Sequence, residues 1–217
     1  MKRRSLPVAA AFAAAAALML TACGSGDDTG DDNDRIAGAE QGSRKKASPT
    51  AEQSGAADRP SITFPKGVKN EFRNWRTGKP AEDAVLADVA QTVNAVDDAI
   101  LKGEEDSATV AYYRQGKALL SAQKWIHAWL ADDLTFTGVT RYFRPDVEVV
   151  DKDTAAVVYC ADESKAVNKN RKTGKLDTSP SDESPFVTYS SQLKRNDKGV
   201  WQTTEIVSKR GEKTCAS

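Results

Sequence analysis

The chain of 217 residues has a single histidine, His127, and its three cysteines form no Cys-x-x-Cys unit. These shortages argue against a zinc site and against paired histidine ligands, so we expect neither a metal nor a cofactor. A glycine-rich phosphate loop, a Gly-x-Ser-x-Gly elbow and sustained heptad repeats are absent as well. No motif therefore assigns an enzymatic activity, and we expect a domain without catalytic function.

An excess of positive charge is also lacking. The chain contains 31 lysines and arginines and 31 aspartates and glutamates. Its first 22 residues hold three of the basic residues and none of the acidic ones, which leaves 28 basic against 31 acidic residues and a net charge of −3. A nucleic-acid-binding surface is usually clearly basic. We therefore expect no nucleic-acid partner.

The longest apolar run, residues 8–20, is too short to cross a bilayer: it has about 13 residues, and a spanning helix needs roughly 20. A basic triplet at residues 2–4 precedes the run, and the sequence Leu-Thr-Ala-Cys ends it at Cys23. This order is typical of a secretory signal with a lipoprotein cleavage box. We predict a signal peptide over residues 1–22; an uncleaved membrane helix and a plain signal peptide with an incidental cysteine are the alternatives.

A diacylglyceryl group and a further acyl chain, such as palmitate, on Cys23 would hold the protein on the extracytoplasmic face of the cell membrane. Two acyl chains anchor a protein stably because each buried methylene contributes ~0.8 kcal/mol. Residues 24–58 are almost free of apolar side chains and cannot offset the entropy of ordering. We therefore predict a lipidated cysteine followed by a disordered tether over residues 23–60.

If Cys23 is lipidated, Cys160 and Cys215 remain as a possible pair, and export permits a disulfide between them. Closing a loop of about 56 residues would contribute roughly 4 kcal/mol in the chain-entropy model. The alternative is two unpaired thiols.

Residues 61–217 have the length of one domain, and apolar spacing predicts a first helix in it. Pro80 lies near its start and Gly103 at its end, and Gly103 is typical of a helix C-terminus. One stripe of apolar residues recurs every three or four positions and is expected to be buried: Val85, Val89, Val93, Val96 and Ile100.

A second helix is predicted from an N-cap at Ser107 to Ala131, with a possible break at Gly116. Its later half carries a wide apolar arc that we expect to be strongly buried. The arc consists of Ala118, Leu119, Ala122, Trp125, Ile126, Trp129 and Leu130.

The pattern then alternates with period two, which predicts strands. The predicted strands are residues 134–143, ended by Pro145, a hairpin of residues 147–150 and 155–160, and a second hairpin of residues 186–194 and 200–207. Residues 162–185 are polar and predict a long loop, either solvated or a partner-binding loop. Helices followed by consecutive strands indicate an α+β domain with a mainly antiparallel sheet.

Three stretches, YCADESK at residues 159–165, RKTGK at residues 171–175 and GVWQTT at residues 199–204, accompany this order of elements. Together they resemble the lipoprotein-attached NTF2-like (cystatin-like) domains of high-GC Gram-positive bacteria, over residues 61–217. The resemblance implies N-terminal helices packed on a curved sheet, forming a cone with one open end. In that family the cone is an enzyme pocket, a ligand pocket or a docking surface, so the fold does not decide the function.

Aromatic residues suit a pocket for sugars, cell-wall fragments or apolar ligands, although they equally suit the core between helices and sheet. The predicted ligand-binding residues are Trp129, Tyr142, Tyr159 and Trp201, together with His127 at the rim of the second helix. Tyr112 and Tyr189 belong to the same set of aromatic residues that could line a pocket.

We therefore expect a membrane-anchored lipoprotein whose domain binds an envelope protein, a small molecule or a cell-wall fragment. The alternative is an isomerase or dehydratase with a carboxylate near His127 or a tyrosine inside the cone. Asp132 and Asp133, which follow the second helix, are the carboxylates closest to His127 in the sequence. A structural spacer module is the third possibility.

Overall fold

The computed structural model describes residues 59–179 and 183–216. The predicted signal peptide, the lipidation site Cys23 and nearly all of the predicted tether lie outside the described residues. In the described part of the chain, no helix combines the length and the apolarity needed to cross a membrane.

Helix α1, Pro80–Lys102, is the long helix on which the domain is built. It begins with proline, and Gly103 follows it in the left-handed conformation, with its N–H bonded to the carbonyls of Ala99 and Ile100. Glycine adopts this conformation without steric conflict, which is why the helix ends there. All five residues of the predicted apolar stripe are buried, so the prediction for this helix is confirmed.

The predicted second helix is divided into α2, Ala108–Tyr113, and α3, Gly116–Ala131, as the glycine suggested. Ser107 precedes α2 but its hydroxyl caps nothing and is buried without a partner. The predicted burial of the α3 arc is wrong for Trp125, whose side chain is 56% exposed. The buried face of α3 is narrower than the predicted apolar arc. In that arc, the fully buried residues are Ala118, Ala122 and Ile126.

Five strands form one curved, open sheet with the spatial order β1-β2-β3-β4-β5. Strand β1 is parallel to β2, and the other neighbours are antiparallel. The strands are β1, Val68–Phe72; β2, Leu134–Val149; β3, Thr154–Asn170; β4, Phe186–Arg195; and β5, Trp201–Arg210. The predicted α+β class, with helices packed on a mainly antiparallel sheet, is confirmed.

Two predicted strand ends are wrong. Strand β2 continues through Pro145, because its pairing with β3 shifts register between Phe143 and Asp146 and this bulge takes up the proline. Strand β3 continues to Asn170 instead of ending at Cys160. Beyond Asp162 it pairs with β2 but no longer with β4. Its side chains there are half-buried or exposed, and its polar composition resembles that of a loop.

The apolar side of α1 packs against the sheet through two clusters. In the first, Val85, Leu86 and Val89 contact strand residues such as Leu193 and Trp201. In the second, the C-terminal half of α1 packs with α2, α3 and Val200. Burial of apolar area at about 25 cal/mol per Å² makes this helix–sheet interface the main stabilising feature of the domain.

The predicted disulfide is confirmed. Cys160 of β3 is bonded to Cys215 of the short helix α4, Lys213–Ala216, with 5.5 Å between the Cα atoms. Both cysteines are buried. The bond holds α4 against the sheet, where Thr188 of β4 lies 3.0 Å from the Cys215 Sγ atom.

Candidate functional site

The interface between α1 and the sheet contains a group of polar side chains, which we call the polar cluster. Its members come from β1, α1, the α2–α3 connection and strands β2 to β4. They are Asn70, Asn94, Asp97, Arg114, Tyr142, Tyr159 and Tyr189. Polar groups are unfavourable in such an interface unless they are hydrogen-bonded, so the cluster needs a reason beyond packing.

Asn70 connects β1 to α1. Its Nδ2 atom donates to Oδ1 of Asn94 at 3.0 Å and to Oδ2 of Asp97 at 2.6 Å. Its own Oδ1 atom is buried without a hydrogen-bond partner. The three residues are half-buried, so this side of the cluster lies near the protein surface.

Asp97 is the titratable group of this trio. Desolvation raises the pKa of its carboxyl from 3.8 to about 7. The hydrogen bond from Asn70 and the charge of Arg114 lower this pKa, whereas the charge of Glu163 raises it further. A carboxyl with a pKa near neutrality accepts and releases protons at physiological pH, and such groups are concentrated at functional sites.

Arg114 lies deeper in the cluster and is only 8% exposed. Its backbone closes α2 through a 2.9 Å hydrogen bond to the Val110 carbonyl and forms a bridge with Thr203 of β5. Its Nε atom is buried without a partner, and no hydrogen bond or ion pair within the described residues involves its guanidinium. Burial lowers the Arg114 pKa, yet an arginine in a protein keeps its charge at neutral pH.

Three tyrosines lie close enough to this guanidinium to interact with it electrostatically. The ring centroids of Tyr142 and Tyr159 are 6.2 Å apart, and Tyr159 stacks on Tyr189 at 5.1 Å. Burial raises the pKa of Tyr159 to about 12 and raises the pKa values of Tyr142 and Tyr189 as well. All three phenols are therefore neutral at physiological pH and present hydroxyl groups that donate hydrogen bonds.

The structure brings two of the five predicted ligand-binding residues together, because Tyr142 and Tyr159 both belong to the polar cluster. Trp201 is buried nearby in the core, and its backbone N–H donates to the Asp88 carboxylate at 2.9 Å. Trp129 lies apart, half-buried against Phe136. A role of these residues in binding stays a prediction.

His127 is separate from the cluster. It is exposed, and its Nδ1 atom lies 2.6 Å from the Glu105 carboxylate, which is also exposed. Asp132 is exposed as well, and Asp133 pairs with Lys172 at 2.7 Å. The structure therefore pairs His127 with Glu105 and pairs neither it nor Asp132 with the tyrosines inside the domain.

Sequence reasoning missed the polar members of the cluster. Asp97 follows Val93 by four residues and precedes Ile100 by three, so it lies within the apolar stripe of α1. A carboxylate on the buried side of an amphipathic helix is the signal that would have found it. Asn70 and Arg114 gave no comparable signal, because their positions depend on contacts between distant segments.

Among the described residues, no three histidine, cysteine, aspartate or glutamate side chains are grouped closely enough to hold a metal ion. The cluster therefore consists of one carboxyl, one guanidinium, two amides and three phenols. It is equipped to bind a polar ligand and, through Asp97, to exchange a proton with it.

No family model matches the chain, and no curated protein matches it. Solved structures do. A ketosteroid isomerase-like protein from Erwinia carotovora atroseptica SCRI1043 is 14% identical with a TM-score of 0.43, over 63% of this chain and 99% of its own. The hexachlorocyclohexane dehydrochlorinase LinA-type3 from Novosphingobium barchaimii LL02 is 13% identical with a TM-score of 0.40, over 58% and 86% of the two chains.

The intermembrane space region of the chloroplast protein ARC6 is also similar, with 12% identity and a TM-score of 0.42, over 62% of this chain and all of its own. One of these three is named as an enzyme, one as an isomerase-like protein and one as a region of a chloroplast protein. At these identities and TM-scores, the similarity assigns neither an activity nor a site to this chain.

Proposed function

We propose that the protein is a lipid-anchored, extracytoplasmic member of the NTF2-like group that binds a small ligand at its polar cluster. Cys23 carries the anchor in this proposal, and the segment after it is the tether. The observation that supports binding is the polar cluster itself. Asn70, Asn94 and Asp97 form a hydrogen-bonded polar group between β1 and α1, and all three are only partly buried.

Stability alone does not favour these groups. The Asn70 Oδ1 atom is buried without a partner, and Asp97 is held where its charged form is disfavoured. A natural protein keeps such unfavourable groups where function requires them. Neutral phenols, amides and a carboxyl that belong to one cluster are the kinds of group that supply the few polar contacts orienting a ligand.

The binding proposal is tested with the mature chain carrying Cys23→Ser, so that it is soluble without its acyl chains. Thermal shifts are measured against a library of envelope small molecules, first for this protein and then with Asn94→Ala added. We expect at least one ligand to raise the melting temperature and Asn94→Ala to weaken that shift. Gln91→Ala, one turn earlier on α1 and also half-buried, is the matched control and should leave the shift unchanged. A ligand that raises the melting temperature of the Asn94→Ala protein as much as that of the Gln91→Ala protein would bind outside the polar cluster.

The anchor is tested separately by fractionating cells. The full-length protein should be found with the membranes, and Cys23→Ser should release it or block its processing. An unchanged distribution of the Cys23→Ser protein would refute lipid anchoring at this residue.

An enzyme of isomerase or dehydratase type is the second candidate, favoured by one observation. The Asp97 carboxyl has a pKa near 7 and lies among neutral tyrosine hydroxyls, as a base that abstracts a proton from carbon requires. Incubation with a bound ligand in heavy water tests it by mass spectrometry. Deuterium incorporation that Asp97→Asn abolishes would support catalysis, and no incorporation at all would leave binding as the function.

A further inference from the structure

Arg114 has a charge that the described residues do not balance directly. The nearest acidic member of the cluster, Asp97, is not within ion-pair distance of it, and the Asp97 Oδ2 atom instead accepts the hydrogen bond from Asn70. Two other partly buried arginines are paired with carboxylates, Arg59 with Asp88 and Arg141 with Asp162. The guanidinium of Arg171 donates to the carbonyls of Leu101 and Ile100. A buried charge without a partner is strongly unfavourable, which sets Arg114 apart from them.

The surroundings of Arg114 define the charge that would balance it. One guanidinium faces Asp97 and the tyrosines Tyr142, Tyr159 and Tyr189, which are neutral. Glu163, whose charge also acts on the cluster, is paired with Arg210 at 2.7 Å. Because Glu163 is already neutralised by Arg210, a single negative charge compensates the Arg114 guanidinium when Asp97 is protonated, whereas a dianion would leave one negative charge uncompensated beside it.

We propose that the ligand bound at the polar cluster carries a carboxylate that pairs with the guanidinium of Arg114. This inference rests on the proposed binding function and specifies its ligand class. A guanidinium and a carboxylate match in geometry, and the hydroxyls of the neighbouring tyrosines complete the hydrogen bonding of the carboxylate oxygens. The ring of Tyr189, which is only half-buried and stacks on Tyr159 at 5.1 Å, provides an adjacent surface for a flat apolar body. The ligand class is thus a small monocarboxylate with an aromatic or apolar body.

The test uses three probes of the same size and ring: benzoate, benzamide and phenyl phosphate. Their dissociation constants for the mature Cys23→Ser chain are measured by NMR titration at pH 6.5, where the Asp97 carboxyl is mostly protonated and phenyl phosphate is mostly dianionic. We expect benzoate to bind at least about tenfold more tightly than neutral benzamide, as one charge-assisted interaction provides. It should also bind more tightly than the dianionic phenyl phosphate. This comparison needs no further substitution and is independent of any effect of a variant on folding.

Arg114→Gln should abolish the preference for benzoate over benzamide while leaving benzamide binding nearly unchanged. Arg73→Gln is the matched control: it removes the same charge from an exposed arginine at the end of β1 and should keep the preference. Arg114→Lys should restore part of it.

Each other outcome overturns the inference. Equal binding of benzoate and benzamide, both lost on Asn94→Ala, would keep the proposed ligand site and remove the carboxylate. Tighter binding of phenyl phosphate would replace the carboxylate with a phosphate-bearing ligand. No binding of any probe at its highest soluble concentration would reject the monocarboxylate, and the library screen would then decide the binding function separately.

Discussion

Replacement of Asp97 by asparagine should make the protein more stable at pH 8. Asparagine has the shape of aspartate, keeps an oxygen that accepts the hydrogen bond from Asn70, and carries no charge to desolvate. In the wild type, the carboxyl pKa is about 7 in the folded protein against 3.8 in its unperturbed state. The folded protein therefore binds more protons than the unfolded chain between these two values.

The sign follows from this difference in proton binding. The neutral carboxyl is favoured in the folded state, so its contribution to stability is present below about pH 4 and is lost as the pH rises to about 7. Three pKa units correspond to roughly 4 kcal/mol at most, and solvent access to the half-buried side chain reduces this to about 2–4 kcal/mol. Asp97→Asn should exceed the wild type by that amount at pH 8, with the difference shrinking towards pH 5.

Urea denaturation of wild type and variant from pH 5 to pH 8 measures this difference directly, and titration of other groups cancels between the two proteins. Asp88→Asn on the same helix is the control with the opposite sign, because the Asp88 carboxylate pairs with Arg59 and accepts the Trp201 N–H. A variant Asp97→Asn that is less stable than the wild type at pH 8, with a pH-independent difference, would refute the reasoning about this site.

Three further predictions concern stability and are measured by urea denaturation. Cys215→Ser should lower the free energy of unfolding by roughly 4 kcal/mol, since it opens a loop with a sequence separation of 55; an unchanged midpoint would show that the bond contributes nothing. Gly138→Ala should destabilise by about 3 kcal/mol or more, because its Cβ would lie 2.1 Å from a carbonyl oxygen of β3 at a φ of 102°. Gly78→Ala, with a similar φ and open space, should lose only about 1 kcal/mol. Ile126→Ala should lose about 3 kcal/mol, whereas Trp125→Ala should lose less than about 1 kcal/mol; equal losses would contradict the exposure of Trp125.

The helices and the hairpins could be predicted from the sequence because their signals are local. The apolar stripe of α1 and the glycine at its end follow from spacing and from backbone conformations that glycine adopts readily. The C-terminal half of β3 could not be predicted in this way. Beyond Asp162 the strand pairs with β2 on one side, and an isolated bridge joins Lys169 to Leu176 on the other. These residues are mostly polar, so their backbone pairing has no signature in the hydrophobic pattern.

The candidate site was predicted in part, through Tyr142 and Tyr159, because aromatic residues are conspicuous in strands. Trp125 shows the limit of the same reasoning: a wide apolar arc does not reveal how much of it a neighbouring element covers. Arg114 could not be predicted, since its burial results from α1 and the sheet closing around a break between two helices. Asp97, beside the apolar stripe of α1, is the sequence signal for the polar part of the site, but Asp88 and Asp98 of the same helix are buried as well, so the signal alone does not single it out.

The bond between Cys160 and Cys215 straddles β4, since β3 lies on one side of that strand and α4 follows the strand on its other side. The disulfide therefore closes a covalent loop, residues 160–215, that contains the end of β3 and all of β4 and β5. A protease that cuts the connection between β3 and β4 leaves both products attached to each other. Strand β5 lies at the edge of the sheet, and we expect that it cannot be exchanged with a second copy of the chain unless the disulfide is broken. If the domain lies outside the cell, as we propose, reducing agents are scarce there and the disulfide would hold a nicked domain together.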